Sequence, residues 1–129
     1  MSSNFENTLK FNVGQIVGIN GSPQKIEIIV ARLSNPDFSS FEEHYMILNL
    51  NTLLCPKMAM ECIINDSVEV DSSTFNIARD YEMSREDLKR RYESILIAIQ
   101  NHKNERKRAC GKDLEFEVLS QEEFCGLLD

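Results

Sequence analysis

No apolar run in this 129-residue chain approaches the ~18 residues that a membrane-spanning helix requires. The opening residues, Met1-Ser2-Ser3-Asn4-Phe5, have neither the basic region nor the apolar stretch of a secretion signal, so a soluble cytoplasmic protein is expected. The four cysteines, Cys55, Cys62, Cys110 and Cys125, form no Cys-x2-Cys or Cys-x4-Cys pair, and the two histidines, His44 and His102, stand at no ligand spacing to them. No metal and no disulfide framework is expected; the thiols read as reduced, with Cys62 a small apolar filler in a strand. Nor does a local signature join either histidine to a cysteine nucleophile. Gly14, Gly18 and Gly21 precede a strand rather than a helix, which fits neither a dinucleotide-binding turn nor a P-loop. The adjacent carboxylates Glu42 and Glu43 are expected on opposite faces of a strand, and Glu122 and Glu123 in a first helical turn. No catalytic residue or cofactor emerges.

What is present is a folded composition, 42% hydrophobic and 27% charged, with an uneven charge. Residues 1–78 hold four basic and nine acidic side chains, residues 79–112 ten and six, and residues 113–129 none and six. A basic segment thus lies between two acidic ones. It suits phosphate or an acidic partner, or else a solvated helix that answers the acid of its own chain. The net charge of −7 opposes a polyanion. Specific nucleic-acid binding is therefore not expected, and binding through the basic helix ranks as the last alternative.

The pattern predicts an α+β fold in one domain spanning residues 1–129. Residues 10–78 read as mainly β, 84–110 as a long helix, and 114–129 as a strand with a short helix. Phe11 to Ile19 is the first strand candidate. Asn20-Gly21 marks a hairpin turn, and Gln24 to Leu33 alternates with period two. Glu43 to Leu50 alternates again, with Tyr45, Ile47 and Asn49 on one face and His44, Met46, Leu48 and Leu50 on the other. Met58 to Ile64 and Ser67 to Val70 complete five expected strands, mostly antiparallel. Phe75 to Ala78 fits a sixth strand and a helical turn equally.

The clearest element starts at Ser84. Ser84-Arg85-Glu86-Asp87 is a capping pattern, and Met83 with Leu88 forms a hydrophobic staple. Acidic residues open the helix, basic residues close it, and Gly111 occupies the position for a left-handed cap. Leu88, Tyr92, Ile95, Ile99 and His102 recur at spacings of 4, 3, 4 and 3, the rhythm of a coiled-coil seam that runs on to Arg106. This seam predicts a dimer or higher oligomer. Beyond Asn101 the helix has almost nothing apolar to bury, so its end is expected to project. A second candidate surface is an anion or nucleotide contact made by Arg79, Arg85, Lys89, Arg90 and Arg91 with Phe75 and Tyr81, since arginine beside an aromatic ring suits a charged, stacking ligand. After Gly111, Leu114 to Leu119 reads as the last strand, and Ser120 caps a short helix with Phe124, Leu127 and Leu128.

The opening Phe11-x-Val13-Gly14-Gln15-x-Val17, followed by a turn and a second strand, resembles SH3-like small β-barrels over about 25 residues. The resemblance implies a small antiparallel barrel or sheet. A short chain rich in Asn, Ile and Lys with this opening also resembles bacteriophage-encoded inhibitors of host machinery, which implies a viral protein acting in the host cytoplasm. Three functions follow in order of expectation: a non-enzymatic interaction or inhibitor protein that self-associates through its helix, a module that binds a nucleotide-like small molecule through the Arg79–Arg91 region, and a nucleic-acid binder.

Overall fold

The computed structural model describes residues 9–36, 42–50, 53–65 and 83–126. Its elements are β1 (Ile16–Ile19), β2 (Ser22–Leu33), β3 (Tyr45–Asn49), β4 (Lys57–Ala59), a 3-10 turn (Glu61–Ile63), β5 (Ile64–Asn65), α1 (Arg85–Cys110), β6 (Phe116–Val118) and α2 (Gln121–Cys125). All strand pairs are antiparallel, in the order β4-β3-β2-β1-β5, with β6 also on β2. The fold is α+β: a curled sheet, one long helix, then a strand and a short helix.

β2 organises the sheet because it is long. Its 12 residues span ~40 Å, enough for β1 to pair with Ile26–Ile28 and β6 with Ala31–Leu33 along one edge. β3 takes the other edge. There Ile29 faces Ile47 and Ala31 faces Met46, so Val30 is an extra residue in β2, a bulge that bends the strand. The freed Val30 carbonyl accepts from Leu119 N at 2.8 Å.

β4 and β5 lie at opposite ends of the strand order yet only Met60–Ile63 separate them in the chain. Five Cα steps reach at most ~19 Å. The two edges must therefore approach each other, and the sheet curls into a half-barrel. The expected single strand Met58–Ile64 is in fact two strands on opposite edges, broken by the 3-10 turn. Asn20 holds that turn, its N–H on the Ile63 carbonyl (2.8 Å) and its Nδ2 on that of Cys62 (3.0 Å). Cys62 is exposed there and fills no core. The first strand is shorter than expected too. Phe11 to Gln15 forms an irregular lead-in, with Gly14 at φ +88°. In the Asn20-Gly21 turn only Gly21 has a positive φ, +81°. The expected strand Ser67–Val70, residues 75–82, and Leu127 with Leu128 lie outside the described residues.

The curl gives the sheet two buried faces. Inside lie Leu9, Phe11, Val17, Ile29, Tyr45, Ile47, Ala59 and Ile64. Outside, Ile28, Val30, Ala31, Met46 and Leu48 meet Leu88, Ile95 and Ile99 of α1 and Phe124 and Cys125 of α2. This is why β3 reads Tyr-Met-Ile-Leu: its alternate side chains enter different cores.

Candidate functional site

α1 begins as its sequence dictates. Ser84 Oγ accepts from Asp87 N (3.2 Å) and Asp87 Oδ2 accepts from Ser84 N (3.1 Å). The Ser84 N–H, joined by the Ser84 hydroxyl 3.0 Å from Asp87 Oδ2, holds the Asp87 carboxyl below the usual carboxylate range. The helix ends at Gly111, φ +68°, whose N–H caps the Lys107 carbonyl.

The seam of α1 is used within the molecule. Leu88, Ile95 and Ile99 are buried against β2 and β3, each contributing roughly 1.5–3 kcal/mol by leaving water. Tyr92 donates from its hydroxyl to the Leu119 carbonyl (2.6 Å) and packs on Phe124, with ring centroids 5.8 Å apart. The 4-3-4-3 spacing is therefore the footprint of the helix on its own sheet. A surface facing a second copy cannot include Leu88, Ile95 or Ile99, because the chain's own core already covers them.

The second candidate set is described only in part. Phe75, Arg79 and Tyr81 lie outside the described residues. Lys89, Arg90 and Arg91 are consecutive, so they leave the helix axis about 100° apart. Lys89 pairs with Glu86 (3.6 Å) and Arg90 with Asp87 (4.0 Å) at the surface, whereas half-buried Arg91 turns inward to the Leu53 carbonyl (3.4 Å). Arg85 is exposed at the first turn.

Two surfaces remain. One is the outer ridge of α1. Leu96 and Ile97 are 43% and 61% exposed. Each heads a helical row, Leu96-Gln100-Lys103-Lys107 and Ile97-Asn101-Asn104-Arg108, at spacings of 4, 3 and 4. From Asn104 to Gly111 every residue is exposed. Lys103 and Arg108 make no ion pair among the described residues, while Lys107 reaches Asp113 (3.0 Å).

The other is a small cleft, partly open to solvent, lined by Glu42, Glu43, His102, Arg106 and Leu114. Glu42 is nearly buried, with Lys112 Nζ 2.9 Å from one carboxylate oxygen and His44 Nε2 3.7 Å from the other. Glu43 shares the cleft with Glu42 because strand geometry starts only at Tyr45, so alternation does not separate the two carboxylates. His102 packs edge-on against Phe116, centroids 6.1 Å apart. Burial pushes the His102 imidazole below its ordinary pKa; Glu43 and Glu105 oppose this and Arg106 adds to it. Sequence reasoning missed this grouping. Glu42 and Lys112 are 70 residues apart and no local motif marks them. Among the described residues, no group of three or more His, Cys, Asp and Glu side chains is placed to hold a metal ion, and no helix is long and apolar enough to cross a membrane.

Comparison with protein-family models, with curated proteins and with solved structures finds no match to this chain.

Proposed function

We propose that this protein is a non-enzymatic interaction module that offers the outer ridge of α1 to an acidic surface on another protein. One observation carries the reading: after His102 packs on Phe116 the helix continues for ~12 Å, exposed from Asn104 on, as a basic arm. Residues 101–112 hold five basic side chains and one acidic, in a chain of net charge −7. Such a local excess steers an acidic partner onto this end of the molecule. Leu96 and Ile97, beside the cations, supply apolar anchors of the kind protein interfaces bury. The same anchors favour protein over nucleic acid, and the acid of the rest of the chain opposes a long polyanion.

The reading includes a cytoplasmic setting, which suits three exposed free thiols. The resemblance of the sequence to phage-encoded inhibitors makes obstruction of a host protein the form this interaction takes.

The test is capture from cell lysate by the wild-type protein and by the double variant Ile97→Asp/Arg108→Glu, with mass spectrometry and nuclease treatment. Acidic proteins held by the wild type and lost from the variant are expected, unaffected by nuclease. Equal capture by both proteins, or capture abolished by nuclease, overturns the reading. A dimer mass in light scattering that the variant reduces to a monomer transfers the ridge to a second copy.

A further inference from the structure

The cleft beside the distal half of α1 contains a cation and an anion that do not meet. Arg106 enters it from α1 and Glu43 from the segment that leads into β3. Both act on the His102 ring between Glu105 and Phe116, in opposite directions. Yet neither Arg106 nor Glu43 makes an ion pair among the described residues.

Residues on both sides of the cleft are anchored. Next to Glu43, Glu42 is anchored on Lys112 and His44, with side chains 7% and 8% exposed for Glu42 and His44. The His44 carbonyl is fixed in turn by Leu33 N at 2.8 Å. On the helix side, Phe116 holds His102 one turn before Arg106. Glu42 and Lys112 already neutralise each other, so the opposite charges left to a ligand are one guanidinium and one carboxylate. Buried Leu114 gives the cleft an apolar lining. The cleft is partly open to solvent and encloses room for only a few heavy atoms, so the ligand is small.

We propose that this cleft binds a small zwitterion, a free α-amino acid, with its carboxylate on the Arg106 guanidinium and its ammonium on the Glu43 carboxylate. A planar guanidinium is matched to a carboxylate in two-point contact, and a compact ammonium suits a single carboxylate. His102 stands beside both charges as a hydrogen-bonding wall. The site shares Arg106 with the basic end of α1, while Leu96, Ile97 and Arg108 of the outer ridge lie outside its lining.

The experiment is an NMR titration of the His102 ring resonances with the common free amino acids. Acetate and methylammonium serve as single-charge probes, each taken to about 10 mM, tenfold above a millimolar dissociation constant. Saturable shifts with at least one amino acid, and none with either single-charge probe, are expected. Arg106→Gln and Glu43→Gln alter exposed side chains and leave the fold intact by circular dichroism; each should weaken binding at least about tenfold. Three results overturn the proposal: no amino acid shifts His102, acetate or methylammonium alone shifts it as strongly, or both variants bind as the wild type does.

Discussion

The Tyr45 hydroxyl donates a 2.5 Å hydrogen bond to the Glu61 carboxylate, across the line where the curled sheet closes. The same hydroxyl accepts from Phe11 N, and Glu61 accepts from Lys10 N, each at 3.1 Å. One phenol thus ties the lead-in to β1, the start of β3 and the turn between the two sheet edges. Phe11 also stacks edge-on against the Tyr45 ring, centroids 5.6 Å apart. Burial, reinforced by the bond to Glu61, pushes the Tyr45 phenol well above its ordinary pKa.

Tyr45→Phe keeps the ring and removes the hydroxyl. Phe11 N then loses its partner and Glu61 Oε2 keeps only Lys10 N, a cost of about 1–3 kcal/mol. Urea denaturation should show a lower midpoint with an unchanged slope. The sign of the pH effect follows from the raised pKa: the contribution is whole below the unfolded value of about 10 and is lost as pH rises beyond it. Wild-type stability should therefore fall more steeply than that of Tyr45→Phe in strong alkali.

Ile99 and Ile97 are two residues apart and opposite in fate, 6% and 61% exposed. Ile99→Asp puts a carboxylate into the core shared by α1 and the sheet, and the cost of several kcal/mol abolishes cooperative folding. Ile97→Asp changes stability by no more than about 0.5 kcal/mol. Thermal unfolding followed by circular dichroism separates the two. A folded Ile99→Asp protein that differs from the wild type only in oligomer mass would return the seam to a partner copy.

Local chemistry was legible where neighbours in sequence decide it. Ser84 with Asp87, Gly111 at the helix end, the Asn20-Gly21 hairpin and the alternation of Tyr45 to Leu48 all follow from residues within four positions of one another. The bulge at Val30 and the break at Glu61–Ile63 were not legible, because pairing with distant strands imposes them. The seam reads two ways for a related reason. A helix lying on a sheet and a helix lying on its copy need the same apolar stripe over three turns, and only the tertiary fold tells them apart. Glu42, Glu43, His102, Arg106 and Leu114 form a cleft through topology alone.

Gly14 and Gly21 both take a positive φ, +88° and +81°, but their surroundings differ. A Cβ on Gly14 would lie 3.3 Å from Leu119 Cδ1, whereas one on Gly21 meets nothing within 4 Å. Gly21→Ala should cost about 1 kcal/mol of backbone strain, and Gly14→Ala more, since Leu119 is buried and must shift. Chemical denaturation of the two variants side by side tests the order. A Gly21→Ala protein less stable than Gly14→Ala would contradict the packing assigned to Leu119.

His102 sets the acid side of the stability curve. Burial against Phe116 lowers its pKa in the folded protein; Glu43 and Glu105 partly offset this and Arg106 deepens it. The unfolded chain, with an ordinary imidazole near pH 6.5, then binds more protons than the folded one. Stability from the neutral ring is whole above that value and is lost as pH falls through it. Glu42 and Lys112, the other charges at the cleft, are already joined to each other. His102→Gln keeps a polar side chain of similar reach and removes the titration. Its stability should therefore change less than that of the wild type between about pH 7.5 and pH 5.5, on either side of the imidazole value. Urea midpoints measured at both pH values decide it, and equal acid losses in the two proteins would assign the effect to other groups.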